Sequence, residues 1–191
     1  MTKIAIFDFD GTLARHDSLL PFLLAAAGWP RCLMAAVLSS PAFLFAPQGA
    51  DRRTRFKEAW LKRSLKGLNP STLGAAVDRM RRWPQWMASA QALREHHAQG
   101  HHILIATGSL DLYIREMLGD LPYDGILATE MEVKDGLLTG EMASGNCTRD
   151  RKAERVKAYL QSHGPFEESW AYGNAPHDLP MMALTTHKVI I

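Results

Sequence analysis

With 191 residues, 47% of them hydrophobic and 22% charged, the chain has the make-up of an ordinary globular protein, one core domain plus a modest insertion. A formal net charge of +2 gives no reason to expect nucleic acid or another polyanion as partner. Cys32 and Cys147 lie far apart, with no CxxC or metal spacing, which argues against a disulfide framework and for a reducing compartment.

The N-terminus runs straight into Ile4 to Phe7, a continuous apolar run expected to be a strand buried on both faces. No signal-like segment precedes it, so the expected location is cytoplasmic. Residues 16–87 show no convincing strand and suggest several helices broken by Pro or Gly. That stretch holds eleven Lys/Arg against four Asp/Glu, a net +7, which leaves −5 for the remainder. A helix is expected over about Gln85 to Gln99, closed by Gly100. A second buried strand, Ile103 to Ala106, stops at Thr107-Gly108. Ile126 to Val133 and Leu137 to Met142 flank Lys134-Asp135-Gly136, a hairpin signal. Arg149 to Ser162 suggests a helix with Val156, Tyr159 and Leu160 on one side. Ser169 to Tyr172 and Lys188 to Ile191 complete the strands. Alternation of this kind implies an α/β fold, a doubly wound parallel sheet, with residues 1–15 and 88–191 as core and an all-α insertion over 16–87.

Asp8-Phe9-Asp10-Gly11-Thr12-Leu13 follows the first strand at once. In open parallel sheets ligands bind beyond the carboxyl ends of strands, so both carboxylates point toward the expected site. Two carboxylates so close repel each other and invite a hard divalent cation. An EF-hand would need a preceding helix and a terminal Glu, and neither is here; helix capping by these acids is the other plain reading.

DFDGTL resembles motif I of the haloacid dehalogenase superfamily, and three further motifs follow in order. Thr107, at the end of ILIAT, matches the Ser/Thr of motif II; Lys152 matches the motif III lysine; GNAPHD, Gly173 to Asp178, resembles motif IV, usually GDxxxD. The insertion resembles a type I helical cap, and the hairpin with YGNxxxDLPM resembles the phosphoserine-phosphatase-like branch. The resemblance implies a Mg²⁺-dependent phosphomonoester hydrolase in which Asp8 forms an aspartyl phosphate and Asp10 acts as acid, then base. It further implies Thr107, Gly108 and Lys152 as donors to phosphoryl oxygens, with the metal on Asp8, the Asp10 carbonyl, Asn174 and, through water, Asp178. Asn at 174 departs from the usual Asp: it offers an oxygen ligand without charge, which weakens its pull on a metal, while the retained Asp8 and Asp10 argue for activity. A phosphate-binding protein with weakened turnover is the alternative this raises. Arg149, Arg151, Lys152 and Arg155 can also be read as a solvated basic helix face.

The insertion bears on the substrate. Leu19 to Ala46 carries one charge, Arg31, and Pro21, Gly28-Trp29-Pro30 and Ser39-Ser40-Pro41 are expected to cut it into pieces too short for a bilayer, which needs about 20 residues. Arg52, Arg53, Arg55, Lys57, Lys62, Arg63 and Lys66 follow. A cap with its own core, a cap resting on an anionic membrane at its inner face, and a transmembrane hairpin all remain open. Phosphatidylglycerophosphate phosphatases of this branch have a similarly apolar cap, so the phosphate partner is a small molecule or a lipid head group. Asp17 stands where phosphoserine phosphatases read the substrate ammonium with Glu, yet it can equally cap a helix beginning near Ser18. The arginine that binds the carboxylate in those enzymes has no in-register match; Lys62 and Arg63 are neighbours. His96-His97 and His101-His102 straddle a helix end and a strand start, an awkward geometry for zinc. Trp29, Trp83 and Trp86 are candidates for lining a cleft.

Overall fold

The computed structural model describes residues 2–80 and 85–191. Its centre is a five-stranded sheet in the order β3-β2-β1-β6-β7, every neighbouring pair parallel. The strands are β1 (Ile4–Phe7), β2 (His102–Leu110), β3 (Gly125–Thr129), β6 (Ser169–Gly173) and β7 (His187–Ile190). All four residues of β1 are buried, and alternate side chains serve opposite faces. Ala5 and Phe7 join the cluster under helices α5 (Ala88–Ala98) and α6 (Asp111–Leu118). Ile4 and Ile6 join Val156 of α7 (Arg149–His163) and Met181 and Met182 of α8 (Leu179–Met182). Covering both faces is what lets an unbroken apolar run form a parallel strand.

Three sequence expectations need correction. The run from Ile126 to Val133 is two strands: β3 belongs to the main sheet, while β4 (Met131–Lys134) pairs antiparallel with β5 (Leu137–Met142). Asp135 and Gly136 turn that hairpin with φ of 53° and 77°, both left-handed as a two-residue hairpin loop requires. The helix expected from Gln85 begins only at Ala88, because the preceding backbone is used elsewhere. Arg15 N–H donates to the Gln85 carbonyl and Met87 N–H to that of Leu13, each at 2.9 Å, so the two segments bounding the insertion pair with each other.

The third correction concerns proline. Between β1 and α5 the described chain forms α1 (Leu19–Ala27), α2 (Trp29–Leu44), α3 (Arg52–Leu65), a 3-10 turn (Pro70–Thr72) and α4 (Gly74–Met80). Only Gly28 breaks the apolar stretch. Pro21 lies in the first turn of α1, where N–H groups have no intrahelical partner. Pro41 lies inside α2; the Val37 carbonyl that its missing N–H would have met accepts the Ser40 hydroxyl at 2.8 Å. Among the described residues no helix is long and apolar enough to cross a membrane.

The inserted helices rest on the hairpin as well as on the sheet. Gly67 N–H donates to the Leu138 carbonyl and Leu138 N–H to that of Leu68, both at 2.8 Å. Gly140 approaches so closely that a Cβ there would stand 2.6 Å from the Lys62 Cα. Lys62 and Glu141 close the contact with an ion pair.

Candidate active site

β1 has β2 on one side and β6 on the other, so its carboxyl end is the point at which chain order reverses and a crevice opens. Asp8 emerges there, its N–H held by the Tyr172 carbonyl of β6 at 3.0 Å. Gly11 then turns the loop with φ of 76°; a Cβ at that position would lie 2.9 Å from Asn174 Nδ2, so glycine is required on both counts. A cavity of about 390 Å³ opens over this loop. Asp8, Asp10, Asp17, Thr107, Gly108, Lys152, Asn174 and Asp178 all line it, so every site residue singled out from sequence lies in one place.

The floor is a buried ion triad. Lys152 Nζ donates to Asp8 Oδ1 at 2.8 Å and to Asp178 Oδ1 at 2.6 Å, with all three side chains nearly sealed from water. Burial alone would depress this amine, but the two carboxylates hold it above its ordinary value. Burial pushes Asp8 up, against the pull of Lys152. Lys152 is thus not part of a solvated basic face; the fold spends it inside. Asp178 has its second oxygen taken by the Asn174 N–H at 2.9 Å, a contact that needs the bare Cα of Gly173 beneath it.

Asp10 faces a hydroxyl cluster that the sequence did not announce. Its carboxylate accepts from Ser18 N–H at 2.9 Å, Ser18 Oγ at 3.0 Å and Ser109 Oγ at 2.5 Å. Burial raises it to about 7, opposed chiefly by the Ser109 hydrogen bond. Such a carboxyl can give and take a proton near neutrality. Thr107 Oγ1 accepts from Ser109 N–H at 3.0 Å, which fixes the turn at the end of β2. Asp17 Oδ1 accepts from Leu19 N–H at 3.0 Å, so this residue both caps α1 and borders the cavity.

α3 contributes the cations, and not those nearest in register. Lys62 and Arg63 line a separate trough on the outer side of α3, whereas Arg53 and Lys57 line the cavity. Lys57 Nζ donates to the Gly108 carbonyl at 2.7 Å and to Asn146 Oδ1 at 2.8 Å. Burial draws it down to about 8, against the charges of Asp17 and Asp10. At the mouth, Arg53 Nη1 lies 3.4 Å from His177 Nε2 and Arg149 Nε lies 3.3 Å from His177 Nδ1. Asp51 Oδ2 stands 3.9 Å from Arg149 Nη1, so two guanidiniums share one carboxylate and one imidazole at this rim, which suits an anion. Arg149 holds that position with a left-handed φ of 50°. The sequence marked Arg53, Lys57 and Arg149 as members of basic runs, without spacing that would bring them to one place.

The donor set fits a hard cation. The Asp8 carboxylate, the Asp10 carbonyl and the Asn174 side chain lie together, all oxygen-bearing, and Asp8 Oδ2 accepts a long contact of 3.3 Å from Thr12 Oγ1. Asn174 turns its Nδ2 to the Asp10 carbonyl at 3.3 Å; serving a cation calls for the amide oxygen, which half a turn of the amide supplies. Elsewhere, His96 bonds His101 Nδ1 to Nδ1 at 2.7 Å while His102 bonds Tyr159 at 2.7 Å, so the four histidines do not converge. Trp29 is 65% exposed at the start of α2, Trp86 packs edge-on to Phe9, and Trp83 lies outside the described residues.

Comparison with known proteins gives the family and the fold. The model of the haloacid dehalogenase-like hydrolase family matches residues 5–183. Protein CicA of Caulobacter vibrioides is 29% identical over 97% of this chain and 84% of its own. A probable phosphatase of Mycobacterium tuberculosis is 26% identical over 98% of this chain and 68% of its own. The crystal structure of a protein of unknown function from Bordetella pertussis Tohama I superposes with a TM-score of 0.81 at 24% identity, covering 100% of this chain and 90% of that one.

Proposed function

This chain belongs to the haloacid dehalogenase-like hydrolases, and on that premise we propose that it is a phosphatase that cleaves phosphomonoesters through a covalent phosphate on Asp8. The observation that carries the reading is the Asp8–Lys152–Asp178 triad at the end of β1, with Asp10 in the same cavity. Lys152 holds Asp8 Oδ1, and its ammonium opposes the cost that burial places on the carboxylate charge. Asp10, raised to about 7, protonates the departing oxygen and then takes the proton of the attacking water. Thr107, Gly108 N–H and Lys57 surround the phosphoryl oxygens, where positioning and charge do most of the catalysis.

Mg²⁺ is the cofactor that the family and the donor set favour, held by Asp8, the Asp10 carbonyl and Asn174, with Asp178 behind them. When bound it neutralises charge on the phosphoryl group and leaves the proton transfers to Asp10. The substrate is a phosphorylated small molecule or lipid head group. Phosphoserine is not the favoured member of that class, because the cations that α3 turns to the cavity are Arg53 and Lys57 in place of a single arginine in register. The inserted helices act as a cap, supplying α3 to the substrate while the core supplies the chemistry.

The test is turnover of p-nitrophenyl phosphate with and without MgCl₂, joined to rapid quench with labelled acetyl phosphate. A hydroxylamine-labile label on the protein, absent in Asp8→Asn, is expected. A fully active Asp8→Asn variant with unchanged melting would sink the assignment.

A further inference from the structure

Helix α2 is assembled inside out. Its buried positions are Cys32, Ala35 and Ser39, one small residue per turn, set against α3. Trp60 Nε1 reaches the Cys32 carbonyl at 3.0 Å, and Arg63 Nη1 the Ser39 hydroxyl at 3.5 Å. The large apolar side chains face outward: Leu33, Met34, Val37, Leu38 and Leu44 are exposed, and Phe45, just past the helix end, is 81% exposed. α1 extends the patch with Leu20 and Leu24. A surface helix in water shows the reverse pattern, and a contiguous apolar face of this extent marks an interaction surface.

The charge around the patch says what covers it. From Ser18 to Ala50 there is no Asp or Glu, and the one charge is Arg31. Beside the apolar groove formed by Pro30, Met34 and Leu38 runs a trough bearing Arg31, Arg55, Lys62, Arg63 and Lys66 against Glu58 and Glu141. Five cations to two carboxylates leave a positive rim. A second copy of the chain would bring that rim against its own like, whereas a bilayer with anionic lipid meets both halves of the surface. At 16 residues α2 is about 24 Å long, shorter than the hydrocarbon core, so it lies in the interface without spanning it.

We propose that the α1–α2 face docks on an anionic lipid surface, with α2 in the plane of the interface and the Arg55–Lys66 side of α3 against the head groups. α3 carries Arg53 and Lys57 into the catalytic cavity, so the docked enzyme would hold its site on the helix next to the lipid; the docking itself does not depend on the phosphatase reading.

The experiment is co-sedimentation of the full chain, without substrate, with vesicles of phosphatidylcholine alone or with about one third phosphatidylglycerol. Analytical ultracentrifugation and p-nitrophenyl phosphate turnover are measured on the same samples. The expected result is roughly tenfold or greater partition onto the anionic vesicles. That partition is lost in Met34→Asp/Val37→Asp and falls to the neutral-vesicle level in Arg55→Glu/Lys66→Glu, with soluble turnover unchanged in both. Three results would overturn the proposal: wild-type protein that stays in the supernatant with both vesicles, vesicle binding that survives the Met34/Val37 change, or a wild-type dimer that this change dissolves. An inactive enzyme that still binds would count against the phosphatase reading alone.

Discussion

Both acceptors of the Lys57 ammonium, the Gly108 carbonyl and Asn146 Oδ1, are uncharged. Burial draws the ammonium from 10.5 to about 8, and the charges of Asp17 and Asp10 offset this in part. A displacement of that size corresponds to about 3 kcal/mol, and to rather less where part of the side chain keeps water. Lys57→Met removes this cost but also two hydrogen bonds, each worth about 1 kcal/mol once the charge is counted separately, and the Thr129 hydroxyl remains within 3.0 Å of the Gly108 carbonyl and 3.4 Å of Asn146 Oδ1. The net expectation is a gain of about 1 kcal/mol at pH 7, seen as a melting point higher by roughly 2–4 °C. Because the folded value is depressed, the native state binds fewer protons than the unfolded state between about pH 8 and 10.5. Wild-type stability should rise across that window, and the advantage of the variant should close. Activity should move the other way: losing a charge-assisted contact to phosphate, about 1.5–3 kcal/mol, raises KM by roughly 10- to 100-fold with a smaller change in kcat. Thermal melts at pH 7 and above pH 10, with initial rates on p-nitrophenyl phosphate, measure both. A variant that melts lower at pH 7 and keeps its KM would refute the reasoning.

Asp10→Asn should accumulate the labelled enzyme, with dephosphorylation slowed by about 10²–10⁴-fold, and should abolish the fall in wild-type kcat/KM expected above about pH 7, where Asp10 loses its proton. Quench-flow at several pH values checks both. Lys152→Met leaves Asp8 and Asp178 buried without their shared cation, so it should cost about 3–5 kcal/mol by urea denaturation at neutral pH, and acidification that protonates Asp8, already pushed up by burial, should restore part of it. Asn174→Asp should tighten Mg²⁺ binding in a calorimetric titration, since a charge at about 4 Å is worth up to roughly 4 kcal/mol at an effective dielectric near 20. Equal or weaker affinity would remove position 174 from the metal site.

Strand β1, the hairpin turn at Asp135-Gly136 and the ends of α7 were legible because each is set by neighbours along the chain: a run of four apolar residues, two residues tolerant of left-handed φ, a stretch of helix formers. The split between β3 and β4 was not, because Glu130 leaves one sheet for another without any Gly or Pro to mark the place. Pro41 misled for a similar reason: its cost inside α2 is offset by one hydroxyl, that of Ser40, whose direction no pattern discloses. In the site, the aspartates and Lys152 carried motif spacing. Lys57, Ser109, Arg149 and His177 did not; they meet only because the first half of α3, the end of β2, the start of α7 and the loop after β6 converge, which is a property of packing between distant segments.

The seat of the inserted helices carries a consequence for how this enzyme changes over time. Gly140 touches the Lys62 backbone, and the Leu138 backbone is paired with Gly67 and Leu68. The nucleophile, by contrast, takes its position from the β1–β6 pairing through the Tyr172 carbonyl. Mutations that repaint α2 or the outer side of α3 therefore bear on a hairpin that stands outside the five-stranded sheet, and not on the strand pair that sets bond-making distances. Such a layout lets a lineage exchange one clientele for another by small steps, each tried on a scaffold whose reactive centre stays in working order.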